Sequence, residues 1–230
     1  MMVDDAGSPT EPRWLLWARE IQALAQTGLA FPQDQHNRER YQRLRALAAQ
    51  IMADHASMDV QDIEVMFTQQ TGYATPKVDV RGAVFRDGRL LLVRETADEH
   101  RWSLPGGWAD VNESPAEAVV KEMREEAGLE VRALKLAAVW DRSRHAHKPI
   151  YPFHIWKLFF LCETTGGEPQ PGPETSEVAF FTEHELPGNL STSRVLLPQL
   201  KRMFEHMRQP GLQQSSTEHE TRWGGDPDVQ

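Results

Sequence analysis

Residues 114–128 leave little freedom in how they can fold. Ser114 is placed as an N-cap, Pro115 follows at the first helical position, and Glu117 completes a capping box. Gly128 ends the run as a C-terminal glycine. Between them Ala116, Val120, Met123 and Ala127 recur at helical spacing and form one apolar stripe that must face a core. The other face is the anomaly. Glu122, Glu125 and Glu126 fall within an arc of about 100°, away from the stripe and close enough to repel one another. They also sit at the end of the helix where the macrodipole disfavours negative charge. Two readings follow from this pattern alone: a solvated acidic face, or a face whose repulsion divalent cations relieve, since Mg²⁺ and Mn²⁺ prefer carboxylate and carbonyl oxygens.

The surroundings of this helix read as a mixed α/β chain. Residues 77–85 alternate and are rich in valine, Asp87-Gly88 marks a turn, and residues 89–94 are apolar again, which predicts a β-hairpin. Residues 131–140, 153–162 and 177–182 read as further strands, residues 195–207 as a closing helix. The Gly- and Pro-rich run 166–174 reads as a rigid loop. Upstream the pattern is helical. Trp14, Trp17, Ile21 and Leu24 form one series, Tyr41, Leu44, Ala48 and Ile51 a second, Val60, Ile63 and Phe67 a third. The expected organisation is a flexible tail (1–12), a small all-α domain (13–72), an α/β domain (73–208) and a disordered tail (209–230). About sixty residues of helix rarely build a sufficient core, so the N-terminal unit should pack on the rest of the chain or on a second copy.

Composition excludes several classes of function. No stretch approaches the roughly 18 apolar residues of a membrane helix, and residues 1–13 lack a signal-peptide core. A net charge of −9 argues against a broad surface for long nucleic acid. The single Cys162 can make neither an internal disulfide nor a cysteine-based zinc site, and a reducing, cytoplasmic setting is expected. There is no Ser-His-Asp spacing, G-x-S-x-G or H-E-x-x-H for acyl-enzyme or zinc-protease chemistry. His145 and His147 alternate as metal ligands can, but lack a third partner.

Gly107, Glu113, Lys121, Glu122, Met123, Glu125, Glu126, Gly128 and Leu129 resemble the Nudix signature G-x5-E-x7-R-E-U-x-E-E-x-G-U, with U a bulky aliphatic residue. Lys121 is the one departure, standing where the signature has arginine. The resemblance spans residues 78–208 and implies an α/β/α sandwich with a mixed sheet and hydrolysis of a nucleoside diphosphate linked to another moiety X. The helical N-terminal extension, together with VWDRSRHAHKP and PFHIWKLFFLCE, is similar to a subgroup associated with CDP-choline and ADP-ribose. That subgroup also points to a homodimer to which the N-terminal helices contribute.

Carried residue by residue, the resemblance implies that Glu122 and Glu126 bind Mg²⁺ or Mn²⁺ with the main-chain carbonyl of Gly106. Glu125 binds metal or helps to activate water. Glu174 stands where many family members carry another acidic ligand or base, and Glu177 is a weaker candidate. Glu113, Gly107 and Lys121 support the loop and the acids, although lysine is a point charge that cannot clamp two carboxylates as arginine does. Arg81, Arg142 and Arg144 are candidate phosphate contacts. Trp108 follows the Gly-Gly pair and could stack on a base or face a quaternary ammonium. With many indoles in an acidic chain, hydrolysis of both substrates is expected, CDP-choline slightly ahead. The alternatives are a nucleotide sensor without turnover, or a housecleaning or RNA-decapping enzyme of the same fold.

Overall fold

A computed structural model describes residues 11–31, 34–56 and 58–216. Two compact units emerge. One runs to Lys77 and takes in Ile150–His154; the other holds Val78–Pro149 and the chain from Ile155 onward.

The first unit is three helices, α1 (Arg13–Ala30), α2 (Gln35–His55) and α3 (Val60–Thr68). Asp34 and Asp59 cap α2 and α3 by accepting the amides of Asn37 and Gln61. Its core joins Leu15, Ala18, Ala48, Ala49, Met52, Ile63 and Phe67, with Ile150 and Phe153 packed against them. The Ile150–His154 segment therefore belongs to this unit rather than to the α/β domain where the sequence reading placed it. It is fastened by Arg19, which is buried, pairs with Glu11 and donates through Nε to the carbonyl of Tyr151 at 3.0 Å.

The phase of α1 differs in part from expectation: Trp14 and Ile21 of the expected series pack against this core, while Trp17 and Leu24 do not. Leu15, Ala18, Gln22 and Ala25 face inward, whereas Trp17 is 53% exposed and Leu24 60% exposed. Apolar residues occupy two stripes on this helix, and helical period alone does not say which one packs inside.

The second unit is a mixed sheet between helices. Its elements are β1 (Lys77–Arg86), β2 (Arg89–Glu95), β3 (Arg101–Ser103), α4 (Pro115–Ala127), β4 (Leu129–Asp141), β5 (Ile155–Gly167), β6 (Thr175–Phe181), α5 (Leu197–Arg208) and β7 (Ser215–Ser216). The strand order is β3-β2-β1-β5-β4-β7, with β6 along β2. β4 and β5 form a long antiparallel pair, and β7 runs parallel to β4. Alternation sorts the side chains between two layers. Leu91 and Val93 join Ala118, Val119, Met123 and Ala127 of α4, while Leu90 and Leu92 join Leu200, Met203 and Phe204 of α5. The α/β/α sandwich is thus built.

Residues 209–216, expected within the disordered tail, are ordered. Ser215 is buried, receives Arg202 Nε at 2.6 Å, and pairs in register with Ala138. Lys135 Nζ reaches the carbonyl of Pro210 at 3.1 Å. Backbone and polar contacts hold this segment, so apolar periodicity could not reveal it. Residues 1–10 and 217–230 of the two expected tails lie outside the described residues.

Candidate active site

The loop that carries the two glycines is laid along β1. Val80 and Gly82 donate to the carbonyls of Gly107 and Pro105 at 2.8 and 2.9 Å, and Ala109 donates to Val78 at 3.0 Å. So close an approach excludes side chains. Gly106 has φ +144°, and a Cβ there would stand 2.0 Å from the Val80 carbonyl oxygen. At Gly107 a Cβ would meet Glu122 Oε1 at 2.8 Å, which places the Glu122 carboxylate against this backbone.

α4 begins and ends as its sequence dictates. The Ser114–Glu117 capping box is formed, and Gly128 is left-handed at φ 69°. The helix grades its acids by depth. Glu126 is 6% exposed, Glu122 is half-buried, and Glu125 is exposed. Glu126 accepts the Gly106 N–H at 2.8 Å, so the structure brings that expected pair together. Lys121 forms its ion pairs with other acids, although its charge still opposes the rise at Glu122. It pairs with Asp110 at 2.6 Å and Glu113 at 3.3 Å, which pulls its pKa up and ties the loop before the helix to the helix itself. Asp110 was not anticipated from the sequence.

The Pro-rich loop closes over the C-terminal end of α4. Gln170 N–H donates to the Ala127 carbonyl at 3.0 Å, meeting one of the acceptors a helix end leaves open. Thr175 Oγ1 donates to the Glu126 carbonyl at 2.7 Å, and Gly172 approaches so closely that a Cβ would stand 1.7 Å from the Glu125 carbonyl oxygen. This brings exposed Glu174 to the acidic face. Glu177 lies farther along β6, paired with Arg94 at 3.3 Å.

Charge accumulates in this corner. Burial, with Glu125 and Glu174 adding to it and Arg81 opposing, raises Glu122 to about 7. Burial and the nearby Glu95 and Glu122 raise Glu126 to about 8 against Arg81 and the Gly106 N–H. Glu95 is the residue that sequence reading missed. The signal was present: after Leu91 and Val93, an acid falls at the next inward position of β2.

The basic candidates occupy different settings. Arg81 is buried, grips both oxygens of Asp79 at 3.0 and 2.6 Å and donates to the Leu104 carbonyl at 3.2 Å. Lys157, also buried, reaches Asp79 at 2.6 Å. Burial would raise Asp79, but the two cations hold it at about 2; burial brings Lys157 down to about 8. With these contacts Arg81 braces the Leu104 loop and supplies positive potential from below, rather than opening a fork to solvent. Arg142 is buried and donates to Pro149 at 2.6 Å, while Arg144 lies 3.8 Å from Asp141 on the partly exposed side of the same turn. His147 is buried, with Nδ1 2.9 Å from the Thr192 carbonyl, and burial brings it down to about 3. Trp108 is 45% exposed, with its backbone bridged to Asp79.

Among the described residues, no three His, Cys, Asp or Glu side chains are gathered closely enough to hold a metal ion as they stand. The donors at this corner are nevertheless all oxygens, two of them held protonation-prone by burial and by each other, a set that suits a hard divalent cation.

Comparison with known proteins gives the class. Residues 75–200 match the NUDIX domain, and residues 12–67 match a UDP-X-like, N-terminal oligomerisation domain. The chain belongs to the Nudix family of pyrophosphohydrolases. It is 46% identical over 200 residues to YjhB of Bacillus subtilis (strain 168), whose name assigns it provisionally as an ADP-ribose pyrophosphatase; the match covers 87% of this chain and 95% of YjhB. A crystal structure of a UDP-X diphosphatase aligns with TM-score 0.56 and 30% identity over 89% of this chain and 98% of its own. An ADP-ribose pyrophosphatase from Streptococcus suis 89-1591 aligns with TM-score 0.55 and 39% identity, covering 62% of this chain and 99% of its own.

The raised acids make a pH prediction. With folded values of about 7 and 8 against an ordinary 4.5, Glu122 and Glu126 bind more protons folded than unfolded between those limits. Stability without added metal should therefore fall as pH rises from about 6.5 to about 8; below 6.5 the two acids are opposed by His147, which burial holds down to about 3 and which takes up a proton on unfolding. Glu126→Gln should flatten much of that slope. Thermal unfolding across this range checks it, and a wild-type profile that rises steadily to pH 8 contradicts it.

Proposed function

We infer that the chain hydrolyses the pyrophosphate of a small nucleoside diphosphate linked to X, with Mg²⁺ or Mn²⁺ as cofactor. The observation that carries this reading is the depth-graded set Glu126, Glu122 and Glu125 on one face of α4, with Glu126 tied to Gly106. Glu122, Glu126 and the Gly106 carbonyl would hold the cation. Once bound, it supplies an acidified water and neutralises charge on the phosphates. Exposed Glu125 or Glu174 would accept the proton of that water. Arg81 keeps the glycine loop seated and offsets part of the negative field. Attack at one phosphorus yields a nucleoside monophosphate and phosphorylated X.

ADP-ribose is the first substrate of this reading, because two relatives at 46% and 39% identity carry that name. CDP-choline stands second, on the half-exposed indole of Trp108, which can face a quaternary ammonium. Net charge −9 supports a small nucleotide over long RNA. No helix among the described residues is long and apolar enough to cross a membrane, and buried, free Cys162 suits a cytoplasmic setting. We further assign a homodimer that covers the outer stripe of α1, where Trp17 and Leu24 are exposed, together with exposed Leu44 and Leu47 of α2.

Three measurements follow. Glu126→Gln should lower kcat by about two orders of magnitude or more through loss of a charged ligand. Its thermal stability should be unchanged or slightly raised, since a repelling charge leaves the helix C-terminus; near-normal turnover at saturating metal sinks the assignment. A panel of nucleotide-linked substrates, with Mg²⁺ and with Mn²⁺, should give a higher kcat/KM for ADP-ribose than for CDP-choline, and the reverse order overturns the preference. Light scattering at micromolar protein should give a dimer that Leu24→Glu shifts to monomer; a monomeric wild type rejects the interface.

A further inference from the structure

β2 places Leu91, Val93 and Glu95 on one face, and the first two pack against α4. Glu95 continues that series past the apolar patch and is only 2% exposed. Its cross-strand partner is Thr175, whose Oγ1 donates to the carbonyl of Glu126 at 2.7 Å. The preceding residue, Glu174, accepts the N–H of Thr96 through its carbonyl at 2.9 Å. A strand pairing, a side-chain bond and a backbone bond thus set Glu95, Glu126 and Glu174 around Thr175.

Nothing in this arrangement fully satisfies Glu95. Arg194 Nε lies 3.1 Å from Oε1, yet out of line for a hydrogen bond, and that buried oxygen has no hydrogen-bond partner. Arg194 also stands 3.4 Å from both Asp98 Oδ2 and Ser191 Oγ. Its charge balances Glu95 while its N–H groups are shared elsewhere. An inward acid with an open lone pair, beside a second buried acid, is what an oxygen-ligated cation would use. Burial and Glu174 push Glu95 up, in keeping with a shared negative corner.

We propose that Glu95, supplied by strand β2, is a further ligand of the divalent cation held at Glu126. This rests on the metal-dependent reading above. If Glu95 served only as the partner of Arg194, its charge would act on the cation through the field alone, and Glu95→Asp, which keeps that charge, would bind as wild type does.

The test is Mn²⁺ binding to the full chain, followed by the electron paramagnetic resonance signal of free Mn²⁺, so turnover is not the readout. Glu95→Gln should bind Mn²⁺ about tenfold or more weakly, or hold fewer ions, with an unchanged circular dichroism spectrum. Glu95→Asp keeps the charge on a shorter arm and should fall between the two. Asp98→Asn removes another neighbour of Arg194 and should stay within about twofold of wild type. Wild-type affinity and stoichiometry in folded Glu95→Gln overturn the proposal; wild-type binding by Glu95→Asp does so whether or not Glu95→Gln folds. Loss of binding in Glu126→Gln but not in Glu95→Gln rejects Glu95 alone. Undiminished binding in Glu126→Gln rejects the metal reading of the helix face and the shared ion with it.

Discussion

The N–H of Gly106 donating to the buried carboxylate of Glu126 joins the sheet to the helix that bears the acids. That bond exists only because the glycine loop lies flat along β1, close enough that a Cβ at Gly106 would collide with the Val80 carbonyl. Everything nearby is adjusted to it. Lys121 ties the loop that follows to α4, Arg81 supports it from Leu104, and the Pro-rich loop closes the far end of the helix through Gln170 and Thr175. β1, the glycine loop with the helix that follows it, and the Pro-rich loop are thereby brought to one acidic corner.

This corner is expensive for the bare protein. Carboxylates at Glu122 and Glu126 are removed from water and set beside Glu95, Glu125 and Glu174, so each resists ionisation. Buried acids perturbed in this way by burial and by one another mark a candidate site for chemistry. By contrast, Asp79, Arg81 and Lys157 satisfy one another, and Asp79 stays ionised at about 2 despite deep burial. One network rigidifies the floor; the other keeps unspent negative charge that a cation can neutralise.

The helical unit shows the limit of periodicity. Its three helices were legible from apolar spacing, but the full buried stripe of α1 was not. Trp17 and Leu24 carry more apolar surface than Ala18 and Ala25, yet the small residues face in. Close packing of α1 on α2 selects residues by shape as well as hydrophobicity. The large ones are left outside, on a unit whose family model is named for oligomerisation.

By itself the sequence determined what is local. The capping box, the left-handed stop at Gly128, the hairpin and the shared face of Glu122, Glu125 and Glu126 all follow from spacing, because helix and turn geometry act within a few residues; the burial of Glu126 does not. Tertiary structure alone decided what depends on through-space approach. It turned Lys121 toward Asp110, occupied Arg81 with Asp79, drew Ile150–His154 into the helical core and ordered residues 209–216. It also set Glu95 beside Glu126, since the strand that carries one and the helix that carries the other meet only when their apolar faces pack, and that packing puts their charged ends together as well.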